Sequence, residues 1–433
     1  MSASQIKLSV DNPGVFHSPS VNSEFAVQAS ELLQENHDKN HIRDESGFHN
    51  HMVHHFLTLF ALGAPPSVLQ KQRDNHVERP IGPLDEAVVN KMYDYEGYQE
   101  YLGNDKHYHD FLVFFEREID KKGYEAVINE YCLKGDERAN DMLVRMFMGF
   151  LHPIIHLGFG VEFKQPAIIA EALAQAAIHD SWLSSFLLGA EIAAQKTGRG
   201  KNMVELLDEI RADTKLSTAA RWEDDNKIRD GIMVRAPEEM IKYASQWKVA
   251  PHEVMNINAE MTNAVLYFTG GAQHPPKLIK YDFYYMHCVN CSIFFDAVLK
   301  QAWISNENKA RRLEWKGRID LCMYTSRRSP EPLIDEIVHY KPKIPGSWDK
   351  VFERVQNHHD DGHASKLVRA LAHGEALCKP YENDPKFRIK EGMWLQLGHM
   401  AIDSVESPGK AWVRSAGFPE AWQNFEDRPR AQL

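Results

Sequence analysis

The stretch SGFHNHMVHHFLTLFALGA, residues 46–64, decides the fold, and it places four histidines within seven residues. An apolar segment follows the histidines and ends at Gly63. Ser46 can cap the start of a helix and Gly63 can end one, so the pattern predicts one helix of about four turns. The histidines of this stretch are His49, His51, His54 and His55.

The spacing of these histidines has two interpretations. On the predicted helix His51 and His55 lie one turn apart on one face, with His54 beside them and His49 rotated away. Neutral imidazoles at that spacing on a buried helix can bind a borderline divalent metal ion. The alternative is a histidine-rich helix start that faces solvent, or core histidines that hydrogen-bond to main-chain carbonyls.

The composition is ordinary for a soluble globular protein, with 433 residues of which 43% are hydrophobic and 26% charged. The net charge of −11 gives no indication of a nucleic-acid or anionic-membrane partner. No apolar run approaches the roughly 18 residues that a membrane helix needs, and the N-terminus lacks a secretory signal. We therefore expect a cytoplasmic protein. The ending at residues 431–433, AQL, is only loosely similar to a peroxisomal SKL signal and makes the peroxisome the alternative.

Apolar residues recur with helical spacing along most of the chain, and no series of alternating strands is evident. The sequence therefore predicts an all-α fold, a large single-domain helical bundle with a C-terminal tail. Residues 1–22 are rich in turn-forming residues and are expected to form an irregular arm, followed by a helical domain over residues 23–433. The glycines at 158 and 160 lack the third glycine and the preceding strand of a dinucleotide-binding motif, so no cofactor-binding loop is predicted. The five scattered cysteines are expected to be free thiols.

A second informative segment is HPIIH, in which His152 and His156 stand four residues apart within an apolar run. Pro153 lies between them, and because proline disturbs the preceding turn we expect a kink or a helix break beside His152. The two histidines are either buried core residues with hydrogen-bond partners or a second pair that faces a metal.

The third segment, YDFYYMHCVNCSIFFDAVLKQAW at residues 281–303, predicts a strongly apolar helix with His287 near its middle. Cys288 and Cys291 form a single CxxC without a second pair, so we interpret them as small core residues. A lone histidine on an apolar face is more often structural than a metal ligand, although His287 is a better site candidate than either thiol. The aromatic residues that surround His287 in this segment are Phe283, Tyr284, Phe294 and Phe295.

The fourth segment, VQNHHDDGHASKLVRALAHGEA at residues 355–376, places His359, His363 and Lys366 on one predicted helical face, with Asp361 near the helix start. Apolar neighbours indicate that Lys366 points into the interior, where burial lowers the pKa of a lysine. A neutral lysine can act as a base, as a Schiff-base nucleophile, or as the amine that takes up carbon dioxide to form a carbamate. The alternative is a surface lysine on an amphipathic helix.

Taken together, FHNHMVHH, HPIIHLGFG, MHCVN and DDGHASK resemble the questin oxidase-like family, fungal enzymes that act on anthraquinones in polyketide secondary metabolism. The resemblance runs from Phe48 to the tail WVRSAGFPEAW at residues 412–422. It implies an α-helical fold and oxidative cleavage of a quinone ring. In a ring-opening dioxygenase of this kind, four histidines and a carboxylated lysine hold a non-haem iron.

The resemblance assigns the metal ligands to residues of this sequence. Lys366 would be the carboxylated lysine. The four nitrogen ligands would be His51, His152, His287 and His363. If the other member of a histidine pair faces the iron, the nitrogen ligand would instead be His54, His55 or His156. Residues 290–292, NCS, depart from the threonine-containing form of the third motif, which leaves the substrate open.

The resemblance predicts a non-haem Fe²⁺ oxygenase that uses O₂ to cleave a carbon–carbon bond of a hydroxyanthraquinone. One carbamate among four neutral imidazoles lowers the charge of the centre to +1, and five ligands leave one octahedral position open. We expect the aromatic substrate to lie against Phe283, Tyr284 and Phe294. The residues expected to orient ligands or transfer protons are Asp361, His359 and His156.

Two other functions remain in competition with this prediction. One is a Baeyer–Villiger-type questin oxidase in which NADPH serves as an indirect reductant. The other is a non-oxidative protein, either a helical binding scaffold or a metal-free enzyme that uses a neutral Lys366. The oligomeric state is left open.

Overall fold

The computed structural model describes residues 2–429. The ending at residues 431–433, on which the peroxisomal alternative depends, lies outside the described residues. Helices dominate the described part of the chain, which contains four isolated β-bridges and no β-strand. The all-α prediction is confirmed.

The chain forms two compact units, each assembled from separate segments. The first comprises Met1–Leu183, Lys300–Ile304 and His359–Lys366, and the second comprises Ser184–Leu299, Ser305–His358 and Leu367–Leu433. The predicted division into an arm of residues 1–22 and a domain of residues 23–433 stays a prediction.

The first unit is built on ten helices among the described residues. These are α1 (Ser23–Lys39), α2 (Met52–Ala61), α3 (Leu69–Arg73), α4 (Glu86–Lys91), α5 (Tyr95–Tyr101), α6 (Tyr108–Lys122), α7 (Tyr124–Ile128), α8 (Glu137–Met146), α9 (Met148–Glu162) and α10 (Pro166–Ala177). Every residue of α10 is buried, because its alanine-rich sequence is apolar on almost all sides. It packs against α9 and α6, and α2 packs against α1 and α9. The unit therefore has an apolar centre at α10, and the histidine-bearing helices α2 and α9 pack against each other.

The second unit contains the remaining helices. These are α11 (Ser184–Ala194), α12 (Met203–Ala212), α13 (Thr214–Ser217), α14 (Met233–Arg235), α15 (Pro237–Ala244), α16 (Val254–Gly271), α17 (Phe283–Leu299), α18 (Asn306–Ser326), α19 (Ile334–Val338), α20 (Trp348–Asn357), α21 (His363–Cys378) and α22 (Met393–Glu406). Helix α21 begins in the first unit and continues in the second from Leu367. Helix α16 packs against both α17 and α18. Short 3-10 or π turns occur at Pro66–Val68, Asp105–His107, Asn129–Leu133, Lys227–Ile232, Lys379–Tyr381 and Pro419–Trp422.

The histidine-rich helix is shorter than predicted. It begins at Met52, not at residue 46, because Asp44 organises the preceding residues into a turn. One carboxylate oxygen of Asp44 accepts hydrogen bonds from the main-chain amides of Ser46 and Phe48, at 2.8 and 3.0 Å. Ser46 is thus part of the turn and does not cap the helix. The predicted stop is correct, since Gly63 has a φ of 72°, which favours glycine.

The predicted break beside His152 is present, but its cause differs from the expected one. Helices α8 and α9 are bent by 98° with respect to each other. Three successive residues near the start of α9 are left-handed: Gly149, Phe150 and Leu151, with φ of 54°, 53° and 71°. Regular helix follows from His152, so Pro153 lies in a first turn, where proline is tolerated. The left-handed run, more than the proline, produces the break.

All five cysteines are buried free thiols, as expected, and Cys288 and Cys291 belong to the core of the second unit. Among residues 2–429, no single helix is both long and apolar enough to span a membrane. The bent pair of α8 and α9 meets the length and composition criteria only when the two helices are taken together.

Candidate metal centre

Three of the predicted ligands converge within the first unit. His51, His152 and His363 each offer one ring nitrogen, and these three atoms lie within 4.8 Å of one another. All three residues are buried. His51 immediately precedes α2, His152 follows the left-handed run in α9, and His363 is the first residue of α21. The start of a helix therefore fixes the main chain at each of the three histidines.

Hydrogen bonds at Nδ1 fix the orientation of the three rings. The carboxylate of Asp361 accepts from His51 at 2.7 Å with one oxygen and from His363 at 2.5 Å with the other. The carbonyl of Gly149 accepts from His152 at 2.6 Å. Because carbonyl and carboxylate oxygens only accept, each Nδ1 carries the proton and each Nε2 presents a lone pair. Acceptors of this kind are the usual outer partners of metal-binding histidines.

The approach of two imidazoles in the cluster fits a shared cation. The Nε2 atoms of His51 and His152 lie 2.8 Å apart, although both Nδ1 protons are committed elsewhere. Two facing lone pairs at this distance repel each other unless a positive ion is bound by both. Two nitrogen ligands at right angles on one divalent ion lie about 3 Å apart, since such metal–nitrogen bonds are about 2.1 Å long. The residues present therefore fit a divalent metal.

Burial and the neighbouring groups of the cluster shift the pKa of His51 and that of Asp361. Burial, together with the positive charge of Lys366, lowers the pKa of His51 to about 3. Burial would raise the pKa of Asp361, but the charges and hydrogen bonds of His363 and His51 hold it well below its usual range. Neutral nitrogen donors beside a fixed carboxylate suit a divalent cation.

Lys366 lies one turn after His363 on α21 and is buried, as the sequence predicted. Burial lowers the pKa of its amine to about 8, even though the carboxylates of Asp361 and Asp360 favour the charged form. A lysine with a pKa near neutrality has a neutral fraction available for reaction with carbon dioxide.

The prediction that His359, His363 and Lys366 share one helical face is wrong for His359. His359 is exposed and precedes α21. The helix begins later because the carboxylate of Asp360 accepts hydrogen bonds from two main-chain amides at the helix start. Gly362 has a φ of 94°, and a Cβ at this position would lie 2.6 Å from the side chain of His55. The catalytic role of His359 stays a prediction, without support from burial.

The substitute ligands form an outer layer around the three-histidine group. His54 and His156 face each other, with Nε2 and Nδ1 3.1 Å apart, and the other nitrogen of His156 lies 2.7 Å from Glu171. His55 Nδ1 lies 3.1 Å from His76. In the described part of the chain, His54 Nδ1 and His55 Nε2 have no hydrogen-bond partner. Both nitrogens of His156 are engaged, which favours a positioning or proton-transfer role over metal binding.

A buried charge chain continues outward from His156, and the sequence analysis missed it. Glu171 contacts both His156 and His37 at 2.7 Å, and His37 contacts Glu116 at 2.9 Å. Burial would lower the pKa of His37, but its two carboxylate partners raise it to about 10. Despite its burial, the pKa of Glu171 is lowered to about 2 by its two imidazole partners. The available signal was the single carboxylate in the mostly apolar sequence of α10.

The fourth predicted nitrogen ligand and the predicted substrate contacts lie in the second unit. His287 is fully buried on α17, and its Nδ1 donates to the carbonyl of Phe283 at 2.6 Å, so Nε2 is the nitrogen suited to a metal. The ring of Phe283 lies 4.8 Å from that imidazole, centroid to centroid. Phe294 is buried and Tyr284 is half-buried. Near the other end of α17, Asp296 contacts His373 of α21 at 3.0 Å.

Known proteins resemble this chain along nearly its full length. A family model described as Questin oxidase-like matches residues 48–371. The chain is 41% identical to the "Baeyer-Villiger oxidase ptaJ" of Pestalotiopsis fici, over 97% of this chain and 98% of the relative. It is 38% identical to the "Questin oxidase" of Aspergillus terreus, over 97% of each, and 39% identical to the "Oxidoreductase AflY" of Aspergillus parasiticus, over 96% and 92%. The resemblance inferred from the four motifs is confirmed, and the chain belongs to the questin oxidase-like family.

Proposed function

We propose that this oxidoreductase binds a non-haem Fe²⁺ and uses O₂ to cleave a carbon–carbon bond of a hydroxyanthraquinone in fungal secondary metabolism. Relatives named questin oxidase and Baeyer–Villiger oxidase support an oxidase of aromatic polyketides. The single observation that carries the iron part is the 2.8 Å approach of the His51 and His152 Nε2 atoms, with both Nδ1 protons committed to other acceptors.

In this proposal His51, His152 and His363 bind the ion through Nε2. His287 supplies the fourth nitrogen, and Lys366, once carboxylated, supplies an anionic oxygen. Imidazole and carboxylate ligands together are typical of non-haem iron sites that react with O₂. When bound, the ion supplies the redox chemistry that the side chains lack.

The protein's own side chains have separate roles in this function. Asp361 holds the proton on the Nδ1 atoms of His51 and His363, so that both rings present a lone pair at Nε2. The neutral amine of Lys366 attacks carbon dioxide, forms a carbon–nitrogen bond and releases one proton to become a carbamate. Phe283, with Tyr284 and Phe294, provides the aromatic surface for a flat substrate.

Metal analysis of the purified protein tests the iron site. We expect the wild-type protein to contain iron, and the variants Lys366→Ala, His51→Ala and His287→Ala each to lose it. His359→Ala is the matched control, because that ring is exposed, and it should keep its iron. Circular dichroism of each variant shows whether it is folded. Wild-type iron occupancy in a folded ligand variant would reject that residue as a ligand.

A second candidate, a Baeyer–Villiger-type oxidase with NADPH as an indirect reductant, is favoured by the names of several relatives. Turnover under labelled oxygen separates the two oxidases. Two labelled atoms in the product support the dioxygenase, whereas one labelled atom with stoichiometric loss of NADPH supports the Baeyer–Villiger type. An iron-free protein that keeps its function after chelation would refute both and leave the non-oxidative alternative.

A further inference from the structure

The second unit contains a group of cations and aromatic rings that the iron proposal does not use. The guanidinium of Arg327 lies 3.8 Å from the centroid of the Tyr284 ring, and that of Arg414 lies 4.6 Å from the Phe283 ring. The two rings are 5.5 Å apart and nearly perpendicular. We call these four residues the arginine–aromatic cluster. Because the Phe283 ring also contacts His287, the cluster adjoins a proposed iron ligand.

Arg327 is the unusual member of this cluster. It is only 2% exposed, yet it forms no ion pair with any carboxylate in the part of the chain that the structure describes. Its hydrogen bonds run from Nη1 to the hydroxyl and carbonyl of Ser326, at 3.0 and 3.5 Å, and Nε has no partner among the described residues. A buried guanidinium normally has an anionic partner, because burying an unpaired charge is costly.

The neighbouring carboxylates are committed to other groups. Asp282, fully buried, accepts hydrogen bonds from the amides of Tyr284, Tyr285 and Ala416. Burial raises the pKa of Asp282 and the charge of Arg327 opposes this, but no ion pair joins the two residues. Asp282 is thus hydrogen-bonded to two amides of its own turn and to the amide of Ala416, and no carboxylate among residues 2–429 forms an ion pair with Arg327.

Two further cations, Lys227 and Arg328, lie near Arg327. Lys227 lies 5.3 Å and Arg328 lies 5.5 Å from the ring of Phe418. Burial and the nearby charge of Arg327 lower the pKa of Lys227. The adjacent Asp224 pairs with Arg235, at 2.7 Å. The cations that lie over aromatic rings here are Lys227, Arg327, Arg328 and Arg414, and Glu223 and Asp225 provide negative charge near Lys227.

We propose that the arginine–aromatic cluster binds an anionic oxygen, a carboxylate or a phenolate, carried by the aromatic substrate. Arg327 donates N–H groups to that oxygen from within the protein, and Arg414, which is exposed, contacts it from the solvent side. The half-buried rings of Phe283 and Tyr284 flank the flat ring system to which the oxygen is attached. This inference rests on the proposed function, since it specifies the charge of the same substrate.

Binding of a matched pair of probes tests the inference without turnover. The probes are anthraquinone-2-carboxylate and its uncharged analogue 2-(hydroxymethyl)anthraquinone, titrated into the full-length protein by calorimetry in the absence of oxygen. We expect the carboxylate to bind at least about 10-fold more tightly, as a charge-assisted hydrogen bond requires. Arg327→Gln and Arg414→Gln should each reduce this preference by about 10-fold and change the affinity for the neutral probe less than twofold.

One control variant and the exposed position of Arg414 keep the test decisive. Arg388→Gln removes an exposed arginine elsewhere in the same unit and should leave the preference unchanged. Arg414→Gln, at an exposed position, provides the measurement even if Arg327→Gln folds poorly. Equal affinity of the wild-type protein for both probes, or an unchanged preference in both cluster variants, would overturn the inference.

The same titrations separate this inference from the proposed function. An iron-free wild-type protein that still prefers the carboxylate would refute the iron proposal and support the anion site. An iron-loaded wild-type protein without any preference would refute the anion site alone.

Discussion

Replacing Asp361 by asparagine should weaken metal binding strongly, because one carboxylate serves two ligands. Its oxygens lie 2.7 Å from His51 Nδ1 and 2.5 Å from His363 Nδ1, and both imidazoles are donors. An asparagine can accept from only one of them, because its amide nitrogen is a donor. The second imidazole must then carry its proton on Nε2, which removes the lone pair that would bind the ion.

The expected size of the effect follows from this loss. Removing one outer-shell partner of a metal-binding histidine typically costs 10- to 100-fold in metal affinity. Since Asp361→Asn forces one ring into the wrong tautomer, we expect a loss near about 100-fold, or about 2.7 kcal/mol. The fold should persist, because the side chain of Asp361 is 41% exposed.

Competition with a chelator of known iron affinity measures this effect in anaerobic solution. Asp44→Asn is the matched control, since it removes one carboxylate charge from the same unit while the remaining oxygen can still accept from the amides of Ser46 and Phe48. We expect the control to change affinity by less than about threefold. Equal losses in the two variants would show that long-range charge, and not the tautomer of a ligand, governs affinity, and would refute the reasoning.

Three other predictions concern the same unit. Lys366→Gln should abolish iron binding, and depletion of bicarbonate should reduce iron uptake by the wild-type protein, as metal analysis can measure. Gly149→Ala should lower the free energy of unfolding, measured in urea, by about 1–3 kcal/mol, because φ is 54° at this position and the new Cβ would overlap a neighbouring imidazole. Gly47→Ala is the control: φ is 82° but the Cβ would lie in open space, so the free energy of unfolding should fall by less. The pKa of His37 is raised to about 10, so the charged imidazole should stabilise the fold fully below pH 6.5 and lose this effect between pH 6.5 and about 10. Urea titrations should show this loss of stability in the wild-type protein. The loss should be smaller in Glu171→Gln, which removes one carboxylate partner of His37.

The sequence predicted the helical fold because apolar residues at a period near 3.6 report directly on which face of a helix is buried. The local patterns drew attention to histidines in apolar segments but left each pair open, and the resemblance to the questin oxidase-like family selected His51, His152 and His363. The burial of Lys366 followed from the apolar residues around it. The helical fold and the burial of Lys366 therefore rest on local patterns along single helices.

The errors arose where contacts between distant residues or capping side chains decided the outcome. The start of α2 depends on the Asp44 turn, and the start of α21 depends on Asp360, so neither helix runs as far back as its histidines suggested. The left-handed run at Gly149 is specified by packing, and nothing in the residue types of Phe150 predicts a positive φ. Glu171 was missed because its imidazole partners lie far away in sequence.

The three converging imidazoles come from residues 51, 152 and 363 of a 433-residue chain. A ribosome must therefore have synthesised residue 363 before all three can meet. Earlier nascent chains hold at most His51 and His152, so any ion shared by the three can be captured only late in synthesis or after release. If the proposed iron site is correct, a chain truncated before residue 363 should not acquire iron at these imidazoles.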